Sequence, residues 1–251
     1  MDISASLTLP SFTQKLFLEN YFVNNFETLS SNQDNFIRSS YLGAVVDVYK
    51  PQGTNVVMLD VNSLYPYIMA ENKFGLGRPK FIKKVTNLKQ FCLTYKSFIK
   101  VKVFCKKSLK YPLIALKKEN KNIQPTGSFI TTVYSEEILY CLKYYPEFYD
   151  FTFISAVFFE SSDYIFKDYI NFLYDKRLNF KASKNEGAEF IIKLMLNSLY
   201  GRFGIKLESN KSKILNEDNV DSFLNNCDTI KFFRELKNDQ YWIQYEDTKK
   251  D

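Results

Sequence analysis

The stretch DYIFKDYINFLYDKRLNFKASKNEGAEFIIKLMLNSLYGRFGI, residues 163–205, decides the fold. Apolar residues recur at spacings of three and four over residues 163–179 and again over residues 186–205. Such spacing places the apolar side chains on one face of a helix. The polar run Ser183–Asn185 breaks the pattern and is typical of a turn. The stretch therefore predicts two antiparallel helices joined by a tight turn.

The second of these helices carries a line of functional groups. Lys193, Asn197 and Tyr200 are separated by four and three residues, so they share one helix face. At a rise of 1.5 Å per residue, their ammonium, amide and phenol groups span about 10 Å. An ammonium can hold a triphosphate, and Gly201 lets a nucleic-acid strand approach the helix closely. A solvated helix face over an apolar core is the alternative, which suits a lone lysine better than this ordered set.

A carboxylate ends a short apolar segment earlier in the chain. The segment Val56–Asp60, VVMLD, predicts a strand because it is a short apolar run. Asp60 would then lie at the edge of a sheet, where a divalent metal can bind. An aspartate that only caps the next turn is the alternative for this residue taken alone.

The rest of the chain predicts a mixture of helices and strands, so the expected fold class is α+β. The further predicted helices are Phe12–Phe26, Ser63–Asn72 and Ser135–Tyr145. The further predicted strands are Tyr41–Tyr49, Ser97–Cys105, Phe151–Glu160, Thr229–Phe233 and Tyr241–Tyr245. A hairpin is expected within residues 106–130.

Composition limits the classes of function. The chain of 251 residues is 45% hydrophobic, which suffices for a sizeable core. Its net charge of +6 mildly favours acidic partners such as nucleic acid or triphosphate, and a basic protein without a polyanionic ligand is the alternative. The absence of histidine excludes Ser-His and Cys-His catalytic pairs and every zinc site that uses histidine.

Cysteine usage and hydropathy bear on the setting of the protein. The cysteines form no C-x-x-C pair, so we expect buried thiols in a reducing compartment; they are Cys92, Cys105, Cys141 and Cys227. The first residues lack the basic start and apolar run of a secretory signal. No segment has the roughly 20 apolar residues that cross a membrane. Heavy use of Lys, Asn, Phe, Tyr and Ile hints at an AT-rich genome, such as that of an organelle, a plasmid or a parasite.

Two segments resemble the motifs of family B DNA polymerases. Asp60–Pro66, DVNSLYP, matches the family's motif A, D-x-x-S-L-Y-P, at every defined position. Lys193–Gly201, KLMLNSLYG, matches motif B, K-x-x-x-N-S-x-Y-G. Upstream of both, Tyr41–Ala44, YLGA, resembles the Y-x-G-G/A motif and stands in the expected order. The resemblance covers most of residues 35–205.

The resemblance to motif A implies roles for five residues. Asp60 would be catalytic and would bind Mg²⁺ or Mn²⁺ together with the Val61 carbonyl. Ser63 and Leu64 would lie beside the incoming triphosphate. Tyr65 would lie under the sugar and reject a 2′-OH, and an ordinary core aromatic is the alternative for it.

The resemblance to motif B implies that Lys193 is catalytic and neutralises the triphosphate together with Lys181 at the tip of the helical hairpin. A solvated turn lysine is the alternative for Lys181, and Lys176 is a second candidate. The further implied nucleotide-binding residues are Asn197 and Tyr200. The implied template- and DNA-binding residues are Tyr41, Gly43, Ala44, Ser198 and Gly201.

The sequences of the motifs and the long insert between them resemble those of protein-primed polymerases. These polymerases come from bacteriophages and from linear plasmids of fungal and plant mitochondria. This resemblance implies a mitochondrial setting. Its implied partners are a DNA template and primer, deoxynucleoside triphosphates and, for protein priming, a terminal protein, without a membrane. It also predicts a partial chain that lacks the exonuclease domain and motif C, Y-x-D-T-D. Tyr245–Lys249, YEDTK, has a lysine where the last aspartate of motif C belongs.

The resemblance predicts an α+β fold made of part of a polymerase palm, a two-helix fingers hairpin and an insert. The expected regions are 1–40, the remnant of a link to an exonuclease domain; 41–110, palm with motif A; 111–165, an insert resembling the terminal-protein-contacting region; 166–205, fingers with motif B; and 206–251, the start of a second insert or of the palm.

The implied function is template-directed transfer of deoxynucleotides by a DNA-directed DNA polymerase, in protein-primed replication of a linear element. A catalytically inactive remnant that binds nucleotide or DNA is one alternative, because Asp60 has no visible second carboxylate. A non-catalytic module that binds DNA or a terminal protein is the other.

Overall fold

The computed structural model of the chain has two compact units, Met1–Arg202 and Phe203–Asp251. The residues that it describes are 6, 8–23, 29–119, 121–205, 210–226, 229–236 and 239–246. Helices and antiparallel strands occur in both units, so the predicted α+β class is confirmed.

Seven helices and eight strands of the described residues begin in the first unit. The helices are α1 Leu9–Asn20, α2 Ser31–Arg38, α3 Leu64–Glu71, α4 Leu88–Thr94, α5 Ser135–Tyr144, α6 Lys167–Ala182 and α7 Glu186–Gly204. The strands are β1 Phe74–Leu76, β2 Lys80–Ile82, β3 Lys96–Cys105, β4 Leu116–Lys118, β5 Lys121–Ile123, β6 Gly127–Tyr134, β7 Tyr149–Phe159 and β8 Ser161–Asp163. Helices α3 and α5 and strands β3 and β7 confirm their predictions with small differences at the ends.

A four-stranded antiparallel sheet in the order β2-β7-β3-β6 organises the first unit. Side chains alternate along β3, where Ile99, Val101 and Val103 are fully buried and Lys100 and Lys102 are exposed. Such alternation belongs to a strand that has one covered face. Helices α4 and α5 cover the buried face and complete a hydrophobic core with it.

The predicted helical hairpin is confirmed as α6 and α7. Its turn is closed by the Asn185 N–H, which donates to the Phe180 carbonyl at 2.9 Å, while Lys184 takes a left-handed φ of 55°. The Asn185 side chain accepts from the Ala188 N–H at 3.1 Å and so satisfies one free donor at the start of α7. The tight turn folds α7 back against α6.

Helix α1 packs against the beginning of α6 through aromatic rings. Phe17 is buried, stacks on Phe166 at a centroid distance of 5.0 Å and meets Tyr169 edge-on at 5.6 Å. Offset and edge-on rings at these distances stabilise a contact beyond the apolar area that they bury. The helix predicted over Phe12–Phe26 is thus present as α1, and residues 24–26 lie outside the described residues.

Residues 41–62 form neither helix nor strand, so the strands predicted at Tyr41–Tyr49 and Val56–Asp60 are wrong. A strand is stable only beside another strand, because its N–H and C=O groups need partners. No strand in the described part of the chain pairs with residues 56–60. The four apolar side chains of residues 56–59 are consequently 77% to 94% exposed.

The second unit is a three-stranded antiparallel sheet with one helix. Its described elements are β9 Asn210–Asn216, α8 Glu217–Asn225, β10 Thr229–Glu235 and β11 Gln240–Glu246. The sheet order is β10-β11-β9, and Ile243 of the central strand is fully buried. The strands predicted at Thr229–Phe233 and Tyr241–Tyr245 are confirmed.

The expected buried thiols are present at Cys92, Cys105 and Cys141, which are free cysteines in the described structure. Cys227 lies outside the described residues. Across the described parts of both units, no helix combines the length and the apolar character needed to cross a membrane.

We expect Gly75→Ala to destabilise the first unit. A Cβ at Gly75 would lie 2.4 Å from the Phe159 ring and 2.8 Å from the Phe159 Cβ, so this ring would have to move. Overpacking of this kind lowers the free energy of unfolding by about 1–3 kcal/mol. Urea titration followed by circular dichroism measures it. Gly201→Ala is the matched control, because a Cβ there meets no atom within 4 Å. Equal losses in the two variants would contradict the steric argument.

Candidate functional site

The first part of the candidate site is the turn that leads into α3. Ser63 takes a left-handed conformation with φ 52°, and its carbonyl accepts the Tyr67 N–H at 2.9 Å to begin the helix. Pro66 and Met69 are buried on the other side of α3, which packs against α6. The turn thus has a fixed position relative to α6, while Asp60 just before it is exposed.

Tyr65 of motif A and Tyr200 of motif B are in direct contact. Their rings stack with a centroid distance of 4.4 Å and an interplanar angle of 15°. A hydrogen bond to the Tyr65 hydroxyl raises the pKa of Tyr200, and burial and the neighbouring phenols of Tyr65 and Tyr41 raise it further. Segments that are 135 residues apart in the sequence therefore meet at this stack.

A cavity of about 670 Å³ opens beside this stack. Clefts that hold nucleotide-sized ligands fall in the range of about 300–1,000 Å³. The residues that line it are Leu59, Asp60, Val61, Ser63, Leu64, Tyr65, Asn197 and Tyr200. All of them except Leu59 are residues to which the motif resemblance assigned metal or nucleotide binding.

The predicted lysines lie outside the lining of this cavity. Lys193 and Lys181 are both exposed, and neither forms an ion pair with a described residue. The ammonium of Lys176, the second candidate, lies 5.5 Å from the centroid of the Phe172 ring. Exposed unpaired ammonium groups on α6 and α7 are accessible to an anionic ligand.

The residues predicted to contact DNA fall into two groups. On α7, the Ser198 hydroxyl donates to the Met195 carbonyl at 3.2 Å, and the space beside Gly201 is open. In the irregular segment before α3, Tyr41 and Ala44 are exposed, and the Gly43 carbonyl accepts from the Asn122 side chain at 2.9 Å.

Arg177 is a site residue that the sequence did not reveal. Its guanidinium donates to the Glu189 carboxylate at 3.3 and 3.2 Å and to the Ser63 hydroxyl at 3.2 Å. The Arg177 and Glu189 side chains are only 22% and 25% exposed. Arg177 therefore connects α6, α7 and the turn before α3. One arginine in an amphipathic helix carries no local signal of such a bridge, because its partners are distant in sequence.

The described residues offer a partial set of ligands for a divalent metal. Asp60 supplies one carboxylate and Val61 a main-chain carbonyl, both beside the cavity. Within the described ranges no three His, Cys, Asp or Glu side chains cluster in a way that could hold a metal. Mg²⁺ commonly uses one or two carboxylates and completes its shell with substrate phosphates and water. The residues present thus fit a metal that arrives with a nucleotide. Residues 247–249, which complete the YEDTK segment, lie outside the described residues.

Comparison with known proteins identifies relatives of the chain. The family model described as DNA polymerase type B, organellar and viral, matches residues 1–251. A probable DNA polymerase of Neurospora intermedia is 33% identical over 234 residues, which are 89% of this chain and 24% of that protein. The DNA polymerase of Streptococcus phage Cp-1 is 30% identical over 226 residues, which are 83% of this chain and 39% of that protein. The chain spans less than half the length of either relative.

Solved structures of Phi29 DNA polymerase share the fold. The complex with primer-template DNA has a TM-score of 0.62 at 24% identity, over 85% of this chain and 38% of that one. The complex with primer-template DNA and incoming nucleotides also has a TM-score of 0.62, at 21% identity, over 96% of this chain and 41% of that one. At these identities the similarity concerns the fold.

We expect removal of Arg177 to loosen the site. Arg177→Met leaves the Glu189 carboxylate half-buried without its partner, which lowers the free energy of unfolding by about 1–3 kcal/mol. A double-mutant cycle with Glu189→Gln measures the coupling between the two groups. Lys80→Met is the control, because Lys80 pairs with Glu160 at 2.7 Å where both side chains are more than half exposed. Such exposed pairs contribute about 0–1 kcal/mol. A coupling energy near zero for Arg177 and Glu189 would contradict the bridge.

A second prediction concerns the stacked tyrosines. Tyr65→Phe removes the hydroxyl that raises the pKa of Tyr200, so this pKa falls toward its ordinary value of about 10. Because the pKa is raised, the hydrogen bond stabilises the fold fully below the ordinary tyrosine pKa and is lost as pH rises through the raised value. NMR titration of ring-labelled tyrosine measures the shift, and Tyr140→Phe on the exposed face of α5 is the control. An unchanged Tyr200 titration in Tyr65→Phe would refute the contact.

Proposed function

The chain belongs to the type B DNA polymerases of the organellar and viral family, and on this premise we propose that it forms the nucleotide-binding part of a DNA-directed DNA polymerase. The single observation that carries the proposal is the cavity beside the Tyr65–Tyr200 stack. It gathers side chains of both polymerase motifs around a space large enough for a nucleotide. The reaction is template-directed transfer of a deoxynucleotide to a 3′-OH.

Residues in the cavity and lysines outside its lining have different roles in holding a deoxynucleoside triphosphate. The Ser63 hydroxyl and the main chain at Leu64 lie beside the polyphosphate, and the exposed Lys193 and Lys181 of the helical hairpin neutralise its charge. Tyr65 and Tyr200 present flat apolar rings to the sugar and base. Tyr65 faces the sugar and disfavours a 2′-OH. Asn197 offers both a donor and an acceptor at the same face of α7.

Asp60 and the Val61 carbonyl are the residues that would hold a divalent metal. Mg²⁺, or Mn²⁺ in its place, supplies Lewis-acid stabilisation of the charge on the transferring phosphoryl group when it is bound. The role of this chain is to orient that group: the left-handed turn at Ser63 and the hydrogen bond from Arg177 to the Ser63 hydroxyl hold the residues that follow Asp60 and Val61.

The setting of the reaction is part of the proposal. Similarity to probable DNA polymerases of fungi and to phage DNA polymerases supports protein-primed replication of a linear element, with a terminal-protein hydroxyl as the first acceptor. In that arrangement residues 111–165 contact the terminal protein, and residues 206–251 begin a second insert or continue the palm. A mitochondrial, plasmid-encoded origin is part of the proposal, and the family is described as organellar and viral.

A second candidate function is nucleotide or DNA binding without transfer. It is favoured by the lining of the cavity, in which Asp60 is the single carboxylate among the described residues. Two-metal phosphoryl transfer uses more than one carboxylate. The two candidates differ in product formation and agree on nucleotide binding, so one experiment separates them.

We expect primer extension with Mg²⁺ and deoxynucleotides to depend on Asp60. Asp60→Asn keeps the size of the side chain and removes its charge, and we expect the rate to fall by at least about 100-fold. Glu147→Gln, in an exposed turn away from the cavity, is the matched control. Nucleotide binding is measured in parallel by calorimetry. Binding without extension in the unmodified chain supports the second candidate, and absence of both refutes the two proposals together.

A further inference from the structure

A second cavity, of about 630 Å³, lies on the face of the main sheet that is opposite the hydrophobic core. Helix α2, the residues that follow it, strands β3 and β6, and strand β4 of the β4–β5 hairpin surround it. We call it the sheet-face groove and define it by Phe36, Tyr41, Lys100, Lys117 and Thr132. None of these residues lines the nucleotide cavity.

The register of the sheet determines what the groove presents. Lys100 of β3 is paired with Thr132 of β6 and with Ser155 of β7. Residues that pair directly across antiparallel strands have their side chains on the same face. The row across the sheet is therefore a lysine between two hydroxyls. In the next row on this face, Lys102 is paired with Ile130 and with Thr152, so the basic surface continues beyond the groove.

The charge of the groove is positive and uncompensated. Lys100 and Lys117 are exposed, and neither forms an ion pair with a described residue. A third cation, Arg38, is paired with Asp34 at 2.8 Å. Of the described residues that line the groove, none is acidic. Two unpaired ammonium groups beside one cavity repel each other, and a polyanion relieves this repulsion.

The groove also has flat and apolar surfaces. Phe36 and Tyr41 line it together with Ile130, and Tyr41 and Ile130 are 57% and 54% exposed. Asn35 and Thr132 add amide and hydroxyl groups between these surfaces. Cations that track a phosphate backbone, combined with rings on which bases stack, are the features by which proteins bind single strands. A duplex would hide its bases from such rings.

Contacts among the surrounding elements build the groove before any ligand arrives. The Ser39 hydroxyl at the end of α2 donates to the Thr132 hydroxyl at 2.8 Å. The Asn122 side chain of the hairpin donates to the Gly43 carbonyl at 2.9 Å. The first bond holds the end of α2 on the sheet, and the second joins the hairpin to the segment that follows α2. A groove whose walls are already positioned loses less entropy when it binds a flexible strand.

Tyr41 also relates the groove to the nucleotide cavity. It lines the groove, and its phenol is close enough to Tyr200 to contribute to the raised pKa of that residue.

We infer that the sheet-face groove binds a segment of single-stranded DNA, with Lys100 and Lys117 on its phosphates and Phe36 and Tyr41 against its bases. The inference rests on the proposed function for the choice of DNA as the polyanion. It assigns binding to β3 and to the β4–β5 hairpin, which contain none of the residues of the polymerase motifs.

The test compares two double variants of the complete chain. Lys100→Gln with Lys117→Gln removes both groove ammonium groups, and Lys83→Gln with Lys84→Gln removes two exposed lysines of the loop after β2. Fluorescence anisotropy measures binding of a labelled oligothymidylate as a function of salt. We expect the groove variant to bind about tenfold more weakly at low salt, with a salt dependence reduced by about 1.4, or 0.7 for each lost phosphate contact. The control variant should change affinity less than about twofold.

The same experiment separates this inference from the proposed function. Calorimetry with a deoxynucleoside triphosphate should give equal affinities for the groove variant and the unmodified chain, because Lys100 and Lys117 belong to β3 and β4, which supply no residue of the nucleotide cavity, whereas Lys193 is on α7, which does. Lys193→Gln should weaken triphosphate binding and leave oligothymidylate binding in place. Equal oligothymidylate affinities in the two double variants overturn the inference, as does failure of the unmodified chain to bind the oligonucleotide. An equal loss of duplex binding in the groove variant overturns the assignment to single strands.

Discussion

The structure of the first unit depends on the central strand β3, which is hydrogen-bonded to β6 on one side and to β7 on the other. Its alternation of buried aliphatic and exposed basic side chains gives the sheet two different faces. One face holds the core together through Ile99, Val101 and Val103. The other face does not pack against the core, so it can carry charged side chains. A shift of one residue in register would exchange the faces, so the packing of the core also determines where the lysines lie.

The candidate nucleotide site has a different origin, since it is assembled from helices and a turn. Helix α3 rests on α6, α7 is folded back by the turn at Asn185, and Arg177 connects all three pieces. The Tyr65–Tyr200 stack lies where these contacts converge. The family's two motifs are thus brought together by short-range packing. The precision of the site therefore depends on residues such as Arg177 that belong to neither motif.

The sequence predicted the parts of the fold that have strong local signals. The hairpin α6–α7 and strand β3 follow from periodicity, and the motif sequences contain seven of the eight residues that line the cavity beside the Tyr65–Tyr200 stack. It predicted no helix at α2, although the Ser30–Gln33 capping box is a local signal for a helix start. It assigned a strand to residues 56–60, because an apolar run has the same composition whether or not a neighbouring strand exists. The bridge from Arg177 and the sheet-face groove depend on contacts between distant segments, which one sequence does not encode visibly.

The exposed apolar segment of residues 56–59 affects both the self-association of the protein and the position of Asp60. Four consecutive apolar residues without backbone partners form a surface on which a second chain can add as a strand, so self-association should rise with concentration. Asp60 directly follows this exposed apolar segment. Any strand that pairs with it will both suppress aggregation and fix the direction of the carboxylate. If Asp60 holds a metal as proposed, backbone hydrogen bonds to this segment would therefore control both self-association and the direction of its carboxylate.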